Sequence, residues 1–214
     1  MGKILAVLVS KKSIGDVMNR NFGCESNVNV LWRAQRAFMG RLRGKIYKCL
    51  GVFHKDTSCK LYFGWGARFI NSKSIKLSEN VKFGMMARIE CHGLFDKDDP
   101  AKIIIGPGSS FGDYCHIGAL NRIIIGENVL GGSGVTIIDH NHGSPKADLS
   151  ETHLRCPKQR PLVSKAPITI GDNAWIGDGV IILSGSEIGS GAIIAANVVV
   201  TGTVLAKTVY LGKK

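Results

Sequence analysis

The stretch ITIGDNAWIGDGVIILSGSEIGSGAIIAANVVVTGTV, residues 168–204, decides the fold. An aliphatic residue returns every six positions, at Ile170, Ile176, Ile182, Ile188, Ile194 and Val200. Four residues after each stands a small or β-branched side chain: Ala174, Val180, Ser186, Ala192, Val198 and Val204. Gly follows the aliphatic at 171, 177 and 189. A six-residue period suits neither a helix nor a hairpin. It suits a solenoid that turns a corner after each short strand, with three walls per coil. The aliphatic then fills the interior, the small residue fits near the corner, and Gly supplies backbone freedom there.

The same register runs back through Ile137, Gly131, Ile125, Ile117, Phe111, Ile105, Ile89, Phe83, Leu77, Phe69 and Phe63. Four steps are not six: 69 to 77, 89 to 105, 117 to 125 and 137 to 170. With walls numbered cyclically from Phe63, all four fall between wall two and wall three. Every insertion therefore leaves the prism at one edge. The expected fold is an all-β solenoid, a parallel β-helix over residues 58–214, preceded by an extension over residues 1–57.

Composition agrees. The chain has 214 residues with 27 Gly, 7% aromatic, 44% hydrophobic and 21% charged. That mixture disfavours a helical bundle and excludes wholesale disorder. No apolar run reaches the roughly eighteen residues that cross a bilayer. Ile4 to Val9 is too short for a secretory core and reads as a short strand, so a soluble, cytoplasmic chain is expected. Six cysteines without a CxxC pair read as free thiols. The net charge of +12 is uneven: residues 1–60 carry 12 Lys and Arg against 3 acids, residues 61–214 carry 16 against 13.

The longest insertion, residues 138–167, opens on Ile138, Asp139, His140, Asn141 and His142 and holds Pro145, Pro157 and Pro161. It reads as a projecting loop. Asn121 and Arg122 lie four and five residues after Ile117, and His140 lies three after Ile137. Ile117 and Ile137 share a wall in adjacent coils, about 4.8 Å apart. Asn121, Arg122, Asp139, His140 and His142 are thus expected at one edge of the prism. Outward-facing Leu130, Trp175 and Ile193 stack on wall one in successive coils, a stripe that suggests protein contact.

The hexad resembles the left-handed parallel β-helix of the hexapeptide-repeat acyltransferases, over roughly residues 58–212. The run INRIIIGENVLGGSGVTIIDHNHG, with Ala119–Leu120 before Asn121, is similar to the sugar O-acetyltransferase branch that modifies bacterial surface polysaccharides, and ITIGDNAWIGDGVIILSG to the same branch and its galactoside and maltose relatives. The resemblance implies a homotrimer and acetyl-CoA as co-substrate, with no metal. It implies His140 as general base, oriented by Asp139 or a backbone carbonyl, and Asn121, Arg122 and His142 toward the acceptor, with His142 the alternative base. It implies Trp175 beside the thioester, and Asp178, Ala196 and Thr201 at CoA-contacting positions. The sequence departs from the branch at Gly202, where relatives carry Lys, and beyond Lys213–Lys214, where relatives continue. Phosphate contacts would then fall to Lys207, Lys213, Lys214 or Lys165 of a neighbouring copy.

The chemistry suits the residues. A sugar hydroxyl must lose its proton to attack a thioester, and a neutral imidazole can take it. An N-acyltransferase on an amino sugar uses the same logic. A metal-dependent hydratase would need His140, His142 and His116 to converge on one ion; a non-catalytic scaffold would need none of them.

Residues 31–50 read as a basic amphipathic helix, with Leu31, Ala34, Phe38, Leu42, Ile46 and Leu50 at helical spacing among Arg33, Arg36, Arg41, Arg43, Lys45 and Lys48. It would cap the open end of the first coil, or rest peripherally at the inner face of a membrane near lipid-linked sugar acceptors. No nucleic-acid motif accompanies the charge, so no such partner is expected.

Overall fold

A computed structural model describes residues 27–58, 60–93, 101–143 and 156–212. The strand expected at Ile4 to Val9 lies outside these residues. The chain divides between Ala37 and Phe38 into two compact units; in the first, the Arg36 guanidinium lies 4.4 Å over the Trp32 ring.

From Tyr62 to Tyr210 the chain is a left-handed parallel β-helix with three walls. Wall one has seven strands, of which Leu130–Gly131, Trp175–Ile176 and Ile193–Ile194 are consecutive neighbours. Wall two has six, including Arg88–Cys91, His116–Ala119, Thr136–Ile138, Ile181–Leu183 and Val199–Val200. Wall three also has six, from Ile75–Leu77 to Thr203–Val204. Every pairing within a wall is parallel and, as far as Val200, in the register read from the hexads: Phe63 pairs with Phe83, Ile117 with Ile137, Ile170 with Ile188.

The inward positions form one apolar column, with Ile75, Leu77, Phe83, Ile89, Ile117, Ile137, Ile176 and Ile182 fully buried. Wall one begins with stacked rings, Phe63 to Phe83 at 6.2 Å and Phe83 to Phe111 at 5.7 Å. The next inward position is Gly131, where a Cβ would overlap the Phe111 ring. The aromatic layer ends there because the glycine leaves that ring its space.

All four irregular steps do fall at the corner between walls two and three. A fifth does as well. Val204 is not a corner residue, as its place four after Val200 suggested; it lies inward on wall three, paired with Ile188 and 5% exposed. This step is two residues short. Gly202 makes the tight turn at φ +99°, in backbone space that a side chain disfavours.

The longest insertion opens with Asn141–His142, paired antiparallel to Leu162–Val163. It rejoins the ridge where Ser184 Oγ accepts from the backbone N–H groups of Lys165 (2.9 Å) and Ala166 (3.1 Å).

A helix, α1 (Asn27–Cys49), starts and ends earlier than residues 31–50. Its C-terminal part meets the first coil through an unexpected face. Gly40 and Gly44 are buried, and a Cβ on either would overlap the Tyr62 ring or the Leu61 carbonyl. Arg43 Nε donates to Phe63 O at 2.9 Å. Tyr47 and Phe53 close the end of the coil against Phe63 and Phe69, with Phe53 and Phe69 ring centroids 4.9 Å apart. The helix therefore caps the solenoid, yet Phe38, Leu42, Ile46 and Leu50 point to solvent.

Cys49, Cys91, Cys115 and Cys156 are free thiols; Cys24 and Cys59 lie outside the described residues.

Candidate active site

The ridge between walls two and three gathers the titratable groups. Asp139 follows the Thr136–Ile138 strand and is fully buried. A buried carboxylate is tolerated only with its lone pairs satisfied. Here Oδ1 accepts from Leu120 N–H (2.7 Å) and Oδ2 from Asn121 N–H (2.8 Å), both from the preceding coil. Oδ1 also meets His140 Nδ1 at 3.2 Å. An ionised carboxylate only accepts, so with Asp139 in that form Nδ1 is the donor, and a neutral ring then presents Nε2 as a bare lone pair. The His140 side chain is 10% exposed.

Two more histidines and a glutamate complete the cluster. His92 packs edge-on to His140, with ring centroids 4.5 Å apart. Its Nε2 is buried without a hydrogen-bond partner among the described residues and lies 3.7 Å from Glu90 Oε1, too far for such a bond. Glu90 Oε1 accepts from His116 Nε2 at 2.7 Å and lies 3.3 Å from Arg88 Nη2. Gly118 sits between the two groups: a Cβ there would stand 3.3 Å from His140 Cε1 and 3.4 Å from His116 Nε2.

Burial lowers the pKa of His92, and the facing His140 lowers it further; burial likewise lowers His116, although its bond to Glu90 works the other way. Burial works to raise Glu90, but the His116 bond and the Arg88 charge outweigh it and leave it below its ordinary value. Burial pushes the Cys91 and Cys115 thiols up to about 12, so neither supplies a thiolate near neutrality.

The structure brings together Asp139, His140 and the backbone of Asn121. Asn121 is itself exposed, and Arg122 follows it, its carbonyl accepting from Ile168 N–H at 3.0 Å. His142 is exposed on the antiparallel ribbon. Thr201 lies on the same ridge as His140, two coils on. Trp175 is half exposed on wall one, between Leu130 and Ile193. Asp178 and Ala196 lie on the ridge between walls one and two, and Asp178 Oδ1 accepts from Ser133 N–H at 2.7 Å. Trp175 and His140 thus belong to different walls of one chain. Among the described residues no group of three or more His, Cys, Asp or Glu is arranged to hold a metal ion.

Reading by sequence missed His92 and Glu90. The register contains the signal: His92 stands three residues after Ile89, as His140 stands three after Ile137.

Residues 167–202 match the bacterial transferase hexapeptide (six repeats) model. Over 106 residues the chain is 32% identical to the Escherichia coli K12 protein named "Putative lipopolysaccharide biosynthesis O-acetyl transferase WbbJ", covering 50% of this chain. The match spans about half, 51%, of that relative's length. Among solved structures, AntD, an N-acyltransferase from Bacillus cereus in complex with dTDP and 3-hydroxybutyryl-CoA, superposes with a TM-score of 0.62 at 14% identity, over 77% of this chain and 82% of its own. A hexapeptide-repeat-containing acetyltransferase from Vibrio cholerae gives 0.50 at 20% identity, over 87% and 88%. The three-walled coil is thus a hexapeptide-repeat β-helix of the kind these acyltransferases share, and its residues 167–202 carry the bacterial transferase repeat.

Proposed function

We propose that the chain is an acetyl-CoA-dependent O-acetyltransferase acting on a hydroxyl of a sugar in a surface polysaccharide or its precursor. The observation that carries this reading is the Asp139–His140 pair: a carboxylate held by two backbone N–H groups fixes Nδ1–H and leaves Nε2 free to accept a proton. The 32% identity to a lipopolysaccharide O-acetyl transferase supports the acceptor class.

In the reaction, His140 Nε2 takes the proton of the sugar hydroxyl as its oxygen attacks the thioester carbonyl. Asp139 stabilises the imidazolium that forms. The tetrahedral oxyanion collapses, the C–S bond breaks, and the CoA thiolate leaves and recovers the proton from His140. The new ester C–O bond balances the thioester lost. No covalent enzyme intermediate is required.

An acyl-CoA needs apolar surface for its pantetheine arm and cations for its phosphates. The exposed indole of Trp175 and the exposed Ala196, with Lys165 and Lys207 also at the surface, fit that demand. Because Trp175 and His140 lie on different walls, a shared site needs two copies of the chain. On wall one the exposed Leu130, Trp175 and Val209, with the part-buried Ile193 in the same row, support a homotrimer.

The test is transfer from labelled acetyl-CoA to a panel of sugars. An alkali-labile product formed by the wild type and reduced at least about a hundredfold in His140→Ala supports the reading. An alkali-stable amide product, or equal rates in the two proteins, refutes it.

A further inference from the structure

We propose that the outward face of α1 from Phe38 onward, continued by Leu50 just past its end, with the basic groove beside it, is a docking surface for an anionic lipid bilayer. The proposal is independent of the reaction assigned above.

The helix is seated by one face only. Gly40, Arg43, Gly44 and Tyr47 turn toward the coil. At about 100° per residue, Phe38, Met39, Leu42, Ile46 and Leu50 fall within one sector of about 120° that adjoins the seating face. All five are exposed, Phe38 by 65% and Leu50 by 71%. Such a contiguous apolar stripe on a water-facing helix marks a contact surface.

Charge says which contact. Residues 38–49 carry Arg41, Arg43, Lys45 and Lys48 and no acid. Two of these turn inward: Arg43 Nε to Phe63 O, and Lys48 Nζ to Lys55 O at 3.0 Å. The other two, Arg41 and Lys45, stay exposed along one border of the stripe. They also line a groove of about 380 Å³ together with Lys60, Leu61, Tyr62 and Lys82. Lys60 meets Glu79 at 3.4 Å; among the described residues the other three groove cations have no carboxylate partner.

A nucleic acid would satisfy the cations and leave five large apolar side chains in water. A second copy placed face to face would cover the stripe but set Arg41 and Lys45 against their own kind. An anionic bilayer interface takes both, the side chains entering the acyl boundary and the cations meeting the phosphates. Among the described residues no helix is long and apolar enough to cross the membrane, so the contact is a surface one.

The experiment is flotation of the full chain with phosphatidylcholine vesicles, with and without about one third phosphatidylglycerol. Binding is expected only to the anionic vesicles and should weaken severalfold as salt shortens the screening length. Leu42→Ser with Ile46→Ser should cut it by roughly tenfold or more. Arg41→Gln with Lys45→Gln should cut it about 25-fold, near fivefold per charge. All four positions are exposed, so melting temperatures should hold, and His140→Ala should float like the wild type. Equal binding to neutral vesicles, or wild-type flotation by either double variant, overturns the proposal. So does a change of oligomeric state in the serine variant, or DNA binding that this variant retains and that strips the protein from vesicles.

Discussion

Replacing Asp139 by Asn changes one atom in a fully buried group and separates scaffold from chemistry. The carboxylate accepts three hydrogen bonds, from Leu120 N–H, Asn121 N–H and His140 Nδ1. An amide offers one acceptor and one donor, so one orientation sets Nδ2 against Asn121 N–H, and the other sets it against Leu120 N–H and His140. Either leaves a buried donor facing a donor, at about 1–3 kcal/mol. For a chain of this size that lowers Tm by about 2–4 °C per kcal/mol. The second orientation also reverses the His140 tautomer, moving the proton to Nε2, and both remove the charge that steadies the imidazolium. Asp139→Asn should therefore lose about 10²–10⁴ in kcat, with little change in KM, because the lost interaction grows in the transition state. Thermal melts and acetyl-transfer kinetics on the same preparations check both halves. A variant with lowered Tm but wild-type kcat would show that Asp139 only staples two coils, and the orienting role would be refuted.

Acid should weaken the fold in two steps. His92 and His116 have pKa values below the ordinary 6.5, so the unfolded chain takes up protons first. Their contribution is complete above pH 6.5 and is lost as pH falls from there through the folded values. Glu90, also lowered, contributes above its ordinary 4.5 and loses that contribution as pH falls through its folded value. Melts from pH 8 to 2 should show both, His92→Gln with His116→Gln should remove the upper step, and stability rising toward acid would contradict the assignment. Gly131→Ala should cost about 1–3 kcal/mol by overpacking the Phe111 ring, and Phe111→Leu should recover part of it in a denaturant titration. Leu130→Asp with Trp175→Asp should yield a folded species of monomer mass by sedimentation, since charges placed in the wall-one stripe oppose burial between copies.

The register was legible because each inward aliphatic is dictated by one local rule repeated, so errors do not accumulate. It failed at Val204, where a step shortened by two put a valine at the offset that elsewhere marks a corner. The Asp139–His140 pair could be placed from the offset after Ile137. His92 has the same offset from Ile89, but the insertion after it is shorter than the one after Ile137 and no second histidine marks it. His142 could not be read as ribbon from the DHNH run, because its direction is set by pairing with Leu162, twenty residues on. On α1, periodicity found the apolar face, but what seats a helix is the approach that absent side chains permit. Gly40 and Gly44 made that choice.

Confining every change of step length to one ridge separates two kinds of sequence variation. A coil closes through the lattice of its own walls, so residues can be added or removed at that corner without shifting the pairing above or below. Loop length and composition near His140 can then be exchanged as a cassette while the opposite faces keep their shape. A chimera carrying a foreign segment between His142 and Leu162 therefore inherits an intact frame and differs only in what the imidazole is offered.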